Sequence, residues 1–238
     1  MQRTQRFVSW GLGLVLISTI LGGCLKSGNN TPPEKLSYIY YLHMAPTAPS
    51  IDMYFDNAKA SSSSISFNTI SGRYAVIRPG TFAVNYKKAG GDSLVATIPV
   101  NIYDSLKAYT LLLYSDDQGH GRATRIVDNM SDVSTEKVNY RFWHLGAETG
   151  NVDFYIGDQK VQSDRSLGDN DGFNSYNQFD VVNPGTYKLV VKEAGTNNVL
   201  AQTEEANLVK GAIYTFFLKG VKNGTGIKAL AIGVASPN

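Results

Sequence analysis

The sequence predicts an all-β protein: two tandem Ig-like or transthyretin-like β-sandwich domains behind a signal peptide and a flexible tether. Three observations predict it. Twenty-three glycines, fourteen tyrosines and many Thr, Val and Ile residues favour strands and tight turns over helices. Short apolar runs recur at roughly ten-residue spacing, broken by Pro, Gly and Asn. A unit of about 100 residues occurs twice.

The N-terminal element is the most specific. "MQRTQR" is a basic leader carrying Arg3 and Arg6, followed by an apolar stretch from Phe7 to Leu21 and then "LGGC", Leu21 to Cys24. The apolar stretch is shorter than the ~20 residues that cross a bilayer, so residues 1–23 are expected to be a signal peptide. Gly22 and Gly23 directly before the only cysteine of the chain resemble the lipobox of bacterial lipoproteins. That resemblance implies diacylglyceryl transfer to the Cys24 sulfur, cleavage before it, and acylation of the new amino terminus. Each buried methylene contributes about 0.8 kcal/mol, and two or more acyl chains hold a protein stably.

Cleavage also alters the charge. Losing Arg3 and Arg6 takes Lys+Arg from 22 to 20, equal to the 20 Asp+Glu. The mature chain is formally neutral, which argues against a nucleic-acid partner. With Cys24 lipidated, neither a disulfide nor a thiol nucleophile remains. Residues 24–35 then form the lipidated cysteine and a polar tether, "LKSGNNTPPEK", with a reach of roughly 20 Å.

The repeat organises the rest. "YLHMAPTAPSIDMYF" at 41–55 aligns without a gap on "FWHLGAETGNVDFYI" at 142–156. This pairs His43 with His144, Asp52 with Asp153 and Tyr54 with Tyr155. "IRPGTFAVNYKKAGG" at 77–91 aligns on "VNPGTYKLVVKEAGT" at 182–196, with the offset grown from 101 to 105 by a four-residue insertion within "QKVQSDRSLGDNDGFNS". Over 77–114 ten positions are identical, where chance gives about two. The expected domains are residues 36–130 and 137–238, linked by "MSDVSTEK".

In the first unit, strands are expected near 37–44, 50–56, 63–67, 73–78, 81–88, 93–100, 107–115 and 122–128. Ile51, Met53 and Phe55 alternate with Asp52 and Tyr54, the period of a half-buried strand. "RPGT" and "NPGT" suggest type II turns with glycine at positive φ. "KKAGGDS" and "KEAGTNN" read as hairpin tips. No helical period is evident beyond the signal.

An apolar strand, His, a Pro-containing turn and then Val/Ile-Asp-x-Tyr resembles one family: the extracytoplasmic domain of unknown function catalogued as number 4397. The first unit carries it in His43, Ala45-Pro46, Ala48-Pro49 and Ile51 to Tyr54; the second keeps His144 and Val152 to Tyr155 but has "GAETG" in place of the prolines. The resemblance implies an envelope location and a β-sandwich, and no activity.

His43 and His144 are therefore expected to close a strand end and bond the following turn, with Asp52 and Asp153 accepting from backbone N–H groups in a neighbouring turn. No second group is named that would make either a general base. His120 sits in a Gly-rich tip, "DDQGHGR", and the three histidines lack zinc-ligand spacing. "GDNDG" suggests a cation loop through Asp169 and Asp171, but the calcium-loop pattern fails at Leu167 and Gln178. No phosphate-binding, dinucleotide or nucleophile-elbow motif is present.

The expectation is a non-enzymatic, lipid-anchored envelope protein without a cofactor, binding or scaffolding an unknown envelope protein or glycan. The alternatives are an accessory glycan- or peptide-binding lipoprotein for uptake and a hydrolase. The loops at 164–172 and 116–121 are the expected recognition surface. Lacking an acidic run after Cys24, the anchor is expected on the periplasmic face of the outer membrane, in preference to the cell surface.

Overall fold

A computed structural model describes residues 35–172 and 174–236. The expected signal peptide, Cys24 and all of the expected tether but Lys35 lie outside the described residues. Residues from Lys35 onward form one compact unit built almost wholly from strands.

Nine strands make the first sandwich: β1 (Ser37–Met44), β2 (Ile51–Phe55), β3 (Ala58–Lys59), β4 (Thr69–Ile70), β5 (Ala75–Ile77), β6 (Gly80–Lys88), β7 (Leu94–Tyr103), β8 (Ala108–Ser115) and β9 (Gly121–Asp128). One sheet has the order β4-β1-β8-β9, with β5 also on β1, and the other β3-β2-β6-β7. The second sandwich comprises β10 (Val138–His144), β11 (Val152–Ile156), β12 (Gln159–Arg165), a helical turn α1 (Asp169–Gly172), β13 (Asp180–Val182), β14 (Gly185–Glu193), β15 (Val199–Leu208), β16 (Ile213–Lys219) and β17 (Ala231–Ala235). Its sheets are β13-β10-β16-β17 and β12-β11-β14-β15.

The registers of the two sandwiches coincide. β1 runs parallel to β8 with Ile39 opposite Tyr109, and β10 runs parallel to β16 with Tyr140 opposite Tyr214. Asp52 faces Lys87 as Asp153 faces Lys192, and Tyr54 faces Lys59 as Tyr155 faces Lys160. Since a one-residue slip would turn every side chain to the other face, this agreement fixes the same inward set in both.

Each sandwich closes over its own core. Ile51, Met53, Val84 and Ile98 meet Ile39, Tyr109, Leu111 and Leu113 in the first; Val152, Phe154, Leu189 and Val191 meet Tyr140, Phe142, Phe216 and Leu218 in the second. A third core joins them. Tyr40, Leu42, Met44, Leu112 and Tyr114, on the opposite face of the β1 sheet, pack on Trp143, Leu145 and Phe217 of the β10 sheet. The molecule is thus four sheets deep, and the two inner sheets are apolar on both faces. All seven residues of β10 are buried, as expected of a strand covered on both sides.

Three local expectations are corrected. Gly80 is not at positive φ: it opens β6 opposite Tyr103, so the Pro-Gly pair starts a strand instead of a type II turn. The strand expected at 63–67 reduces to a single bridge between Ile65 and Ile51, while short pairings form at β3 and β4. The loop expected at 164–172 ends in the helical turn α1, and a 3-10 turn, Asn174–Asn177, follows it.

Candidate functional site

The repeated histidines end β1 and β10 and are almost fully buried. The Ala45 amide donates to His43 Nδ1 at 3.4 Å, and Nε2 lies 3.3 Å from the Pro49 carbonyl. In the second sandwich the Gly146 amide donates to His144 Nδ1 at 3.3 Å, and Nε2 lies 2.8 Å from the Gly150 carbonyl. An amide can only donate, so Nδ1 is the acceptor and Nε2 carries the proton in both rings. Burial lowers both pKa values, partly opposed by the carbonyls on Nε2, and each ring stays neutral with both nitrogens engaged. Each histidine staples the turn that separates its strand from the next.

Asp52 and Asp153 lie on the outer faces of β2 and β11, yet both are nearly inaccessible because a lysine covers them. Lys59 Nζ is 2.8 Å from Asp52, which also accepts from the Gly90 amide at 3.2 Å. Lys160 Nζ is 2.7 Å from Asp153, which accepts from the amides of Asp164 (2.9 Å) and Gly195 (3.3 Å). The Lys59 hydrogen bond, helped by the Gly90 amide, holds the Asp52 carboxyl below the usual range. Burial raises Asp153, but Lys160 and the two amides outweigh it. Gly90 and Gly195 both have a φ of 71°, a left-handed value that presents the amide to the carboxylate at little cost for glycine. Tyr54 and Tyr155 sit beside these pairs, each under a lysine: Lys87 is 4.8 Å from one ring centroid and Lys192 4.7 Å from the other. His and Asp are thus held at separate turns, by backbone and lysine partners.

Of the two expected recognition loops, 164–172 is partly turned inward, while the 116–121 tip stays at the surface. In the insertion, Asp169 is buried in a bidentate pair with Arg165, both contacts 2.7 Å, and Arg165 also donates to the Phe142 carbonyl and lies over Tyr176. Its carboxylate is already occupied by the guanidinium. Gly168 touches the Tyr114 ring, so the insertion packs on the first sandwich. At the other tip, Asp117 accepts from the Glu148 amide at 2.8 Å, and exposed His120 lies 3.4 Å from Asp116. Asp171 remains exposed. Among the described residues no group of three or more His, Cys, Asp or Glu is placed to hold a metal.

Sequence reasoning missed a buried polar network between the sandwiches. Asp128 accepts from Arg141 (2.7 Å), Tyr74 (2.8 Å) and Thr110 (2.7 Å). Arg141 further donates to Thr215 and the Asn177 carbonyl, and its guanidinium stacks 4.4 Å from Trp143. The readable signal was an arginine inside "VNYRFWH", a run otherwise suited to burial.

A polar cleft of about 500 Å³ lies between β7, β9 and α1, lined by Thr97, Ile98, Arg122, Thr124, Arg125 and Asp171 among others. Burial pushes the adjacent Tyr114 hydroxyl up to about 12, with Asp171 adding and Arg122 opposing, so both charges bear on one point.

The family model described as "Domain of unknown function (DUF4397)" matches residues 37–155, half of the chain. The chain belongs to this family. The match runs from β1 through the first sandwich to Tyr155 near the end of β11, taking in both His-to-Asp-x-Tyr segments. A comparison with curated proteins found no match. Among solved structures, one described as "Alpha-glucan binding by a streptococcal virulence factor" is similar at 8% identity over 84% of this chain and 97% of that one, with a TM-score of 0.26. A likeness that loose carries no argument about ligand.

Proposed function

We propose that this is a lipid-anchored, non-catalytic cell-envelope protein in which two units of the DUF4397 family act as one binding or scaffolding body. One observation carries the reading: the recurring His and Asp side chains are occupied by the fold itself. His43 and His144 have both ring nitrogens engaged by adjacent turns, and Asp52 and Asp153 lie under lysines. A general base needs a free lone pair facing substrate, which this arrangement does not offer. The matched registers support a duplicated family unit. The lipobox-like "LGGC" supports an anchor at Cys24, outer-membrane and periplasm-facing, with the tether holding the body off the bilayer.

A screen of residues 35–238 against envelope glycans and proteins tests the binding role. Retention of a component by the wild type and equally by the His43→Gln/His144→Gln variant is expected. Turnover of a substrate that this variant loses while still folded would refute it. For the anchor, Cys24→Ser should abolish fatty-acid labelling and release the protein from membranes. A second reading, an accessory glycan- or peptide-binding lipoprotein for uptake, is favoured by the polar cleft beside β9.

A further inference from the structure

We propose that the cleft where β7, β9 and α1 meet binds an acidic saccharide, a sugar unit bearing a carboxylate. The proposal deepens the binding-module reading and rests on it.

At about 500 Å³ the cleft falls within the span of small-ligand sites, roughly 300–1,000 Å³. β7 and β9 are edge strands of facing sheets, and the insertion of the second sandwich closes the third side. No single sandwich builds this site alone.

The groups it presents define the ligand. Arg122 is exposed on β9, and a guanidinium fork matches a carboxylate with two parallel hydrogen bonds. Asp171 is exposed on α1, which opens its carboxylate to sugar hydroxyls. Thr124 adds a hydroxyl, and Ala96, Ile98 and Pro99 form a short apolar ledge for the C–H face of a pyranose. The back of the cleft is held by Arg125, which bonds the Ile102 carbonyl (3.3 Å) and Asn101 (3.2 Å) over the Tyr109 ring.

Two further observations point the same way. Arg125 Nε is buried without a partner, and Asn170, next to Asp171 and 1% exposed, has neither amide atom paired. Buried donors and acceptors are costly to leave unmet; of these, Arg125 lines the cleft, so its wall holds donor capacity that the fold does not use, while Asn170 lies beneath the surface behind Asp171. Other ligand classes fit less well. A phosphate dianion would set twice the charge of a sugar carboxylate against Asp171, and an apolar ligand would cover the Arg122 and Asp171 charges without compensation.

The test is an NMR titration of isotope-labelled residues 35–238, which contain all three cores, with glucuronosyl-glucose and with cellobiose, its neutral counterpart. Glucuronosyl-glucose should shift the amides of 97–98, 122–125 and 170–171 with a Kd below about 1 mM. Cellobiose should bind about tenfold more weakly, since it lacks the charge-assisted pair. Arg122→Gln should bring the acidic sugar down to the cellobiose level, and Asp171→Asn should weaken both; each variant is exposed and should keep the wild-type Tm. Equal binding of the two sugars, or no shift at these amides at about 10 mM, would overturn the proposal. Shifts confined to another face would overturn the cleft and leave the binding-module reading standing; no ligand in the envelope screen would overturn both.

Discussion

Replacing Asp128 by alanine probes the joint between the sandwiches. The Asp128 and Arg141 side chains are 0% and 3% exposed and 2.7 Å apart. Truncation strands the Arg141 charge away from water and removes the acceptor for the Tyr74 and Thr110 hydroxyls. Breaking one side of such a pair typically costs about 3–5 kcal/mol, because the surviving charge keeps its desolvation penalty. Equilibrium urea unfolding of residues 35–238 at pH 7 should show that loss as a lower midpoint at similar slope. Asp128→Asn, which keeps the shape but not the charge, should fall between. Asp128→Leu combined with Arg141→Met should recover much of the stability, as apolar replacements of buried pairs often do. Lys107→Ala, which removes an exposed pair with Asp104, should change nothing measurable. A loss below about 1 kcal/mol for Asp128→Ala would refute the claim that this pair is held dry at the joint.

Because folding lowers the pKa of His43 and His144, the unfolded chain takes up protons first as pH falls below about 6.5. Stability present above that pH is therefore lost on acidification, by at most about 1.4 kcal/mol per pH unit for each ring. The His43→Gln/His144→Gln variant should flatten this part of the stability–pH curve measured by urea titration. Gly233→Ala should destabilise by about 1–3 kcal/mol in the same assay, since its Cβ would run into the fully buried Phe217 ring. Gly90→Ala, at a φ of 71° with open space around it, should lower Tm through backbone strain without any clash.

Much of the strand plan was legible because turn residues and period-2 alternation are local signals. β1, β2, β8 and β9 fall within a residue or two of their expected spans. The matching registers of the two sandwiches were legible too, in the aligned His, Asp and Tyr positions. The burial of Asp52 was not: its place on the outer face follows from alternation, but the lysine that covers it belongs to β3, which has only two residues. Nor was the joint legible. "SYIYYLHM" and "VNYRFWH" are apolar on both faces, and sequence cannot say what covers the second face. Here it is the other sandwich, and Arg141 within that run finds its partner in Asp128 at the end of β9. The inward turn of the insertion depends on a contact between Gly168 and Tyr114, which no local pattern encodes.

The central claim is that two sandwiches form one body. Trp143 is the single tryptophan of residues 35–238 and is fully buried in the core between them, so its fluorescence reports the joint while far-UV circular dichroism reports all four sheets. The account predicts superimposable urea transitions for the two signals. Loss of the Trp143 signal at a lower midpoint, with the β-sheet signal persisting to a second transition, would show two separately stable domains and contradict it.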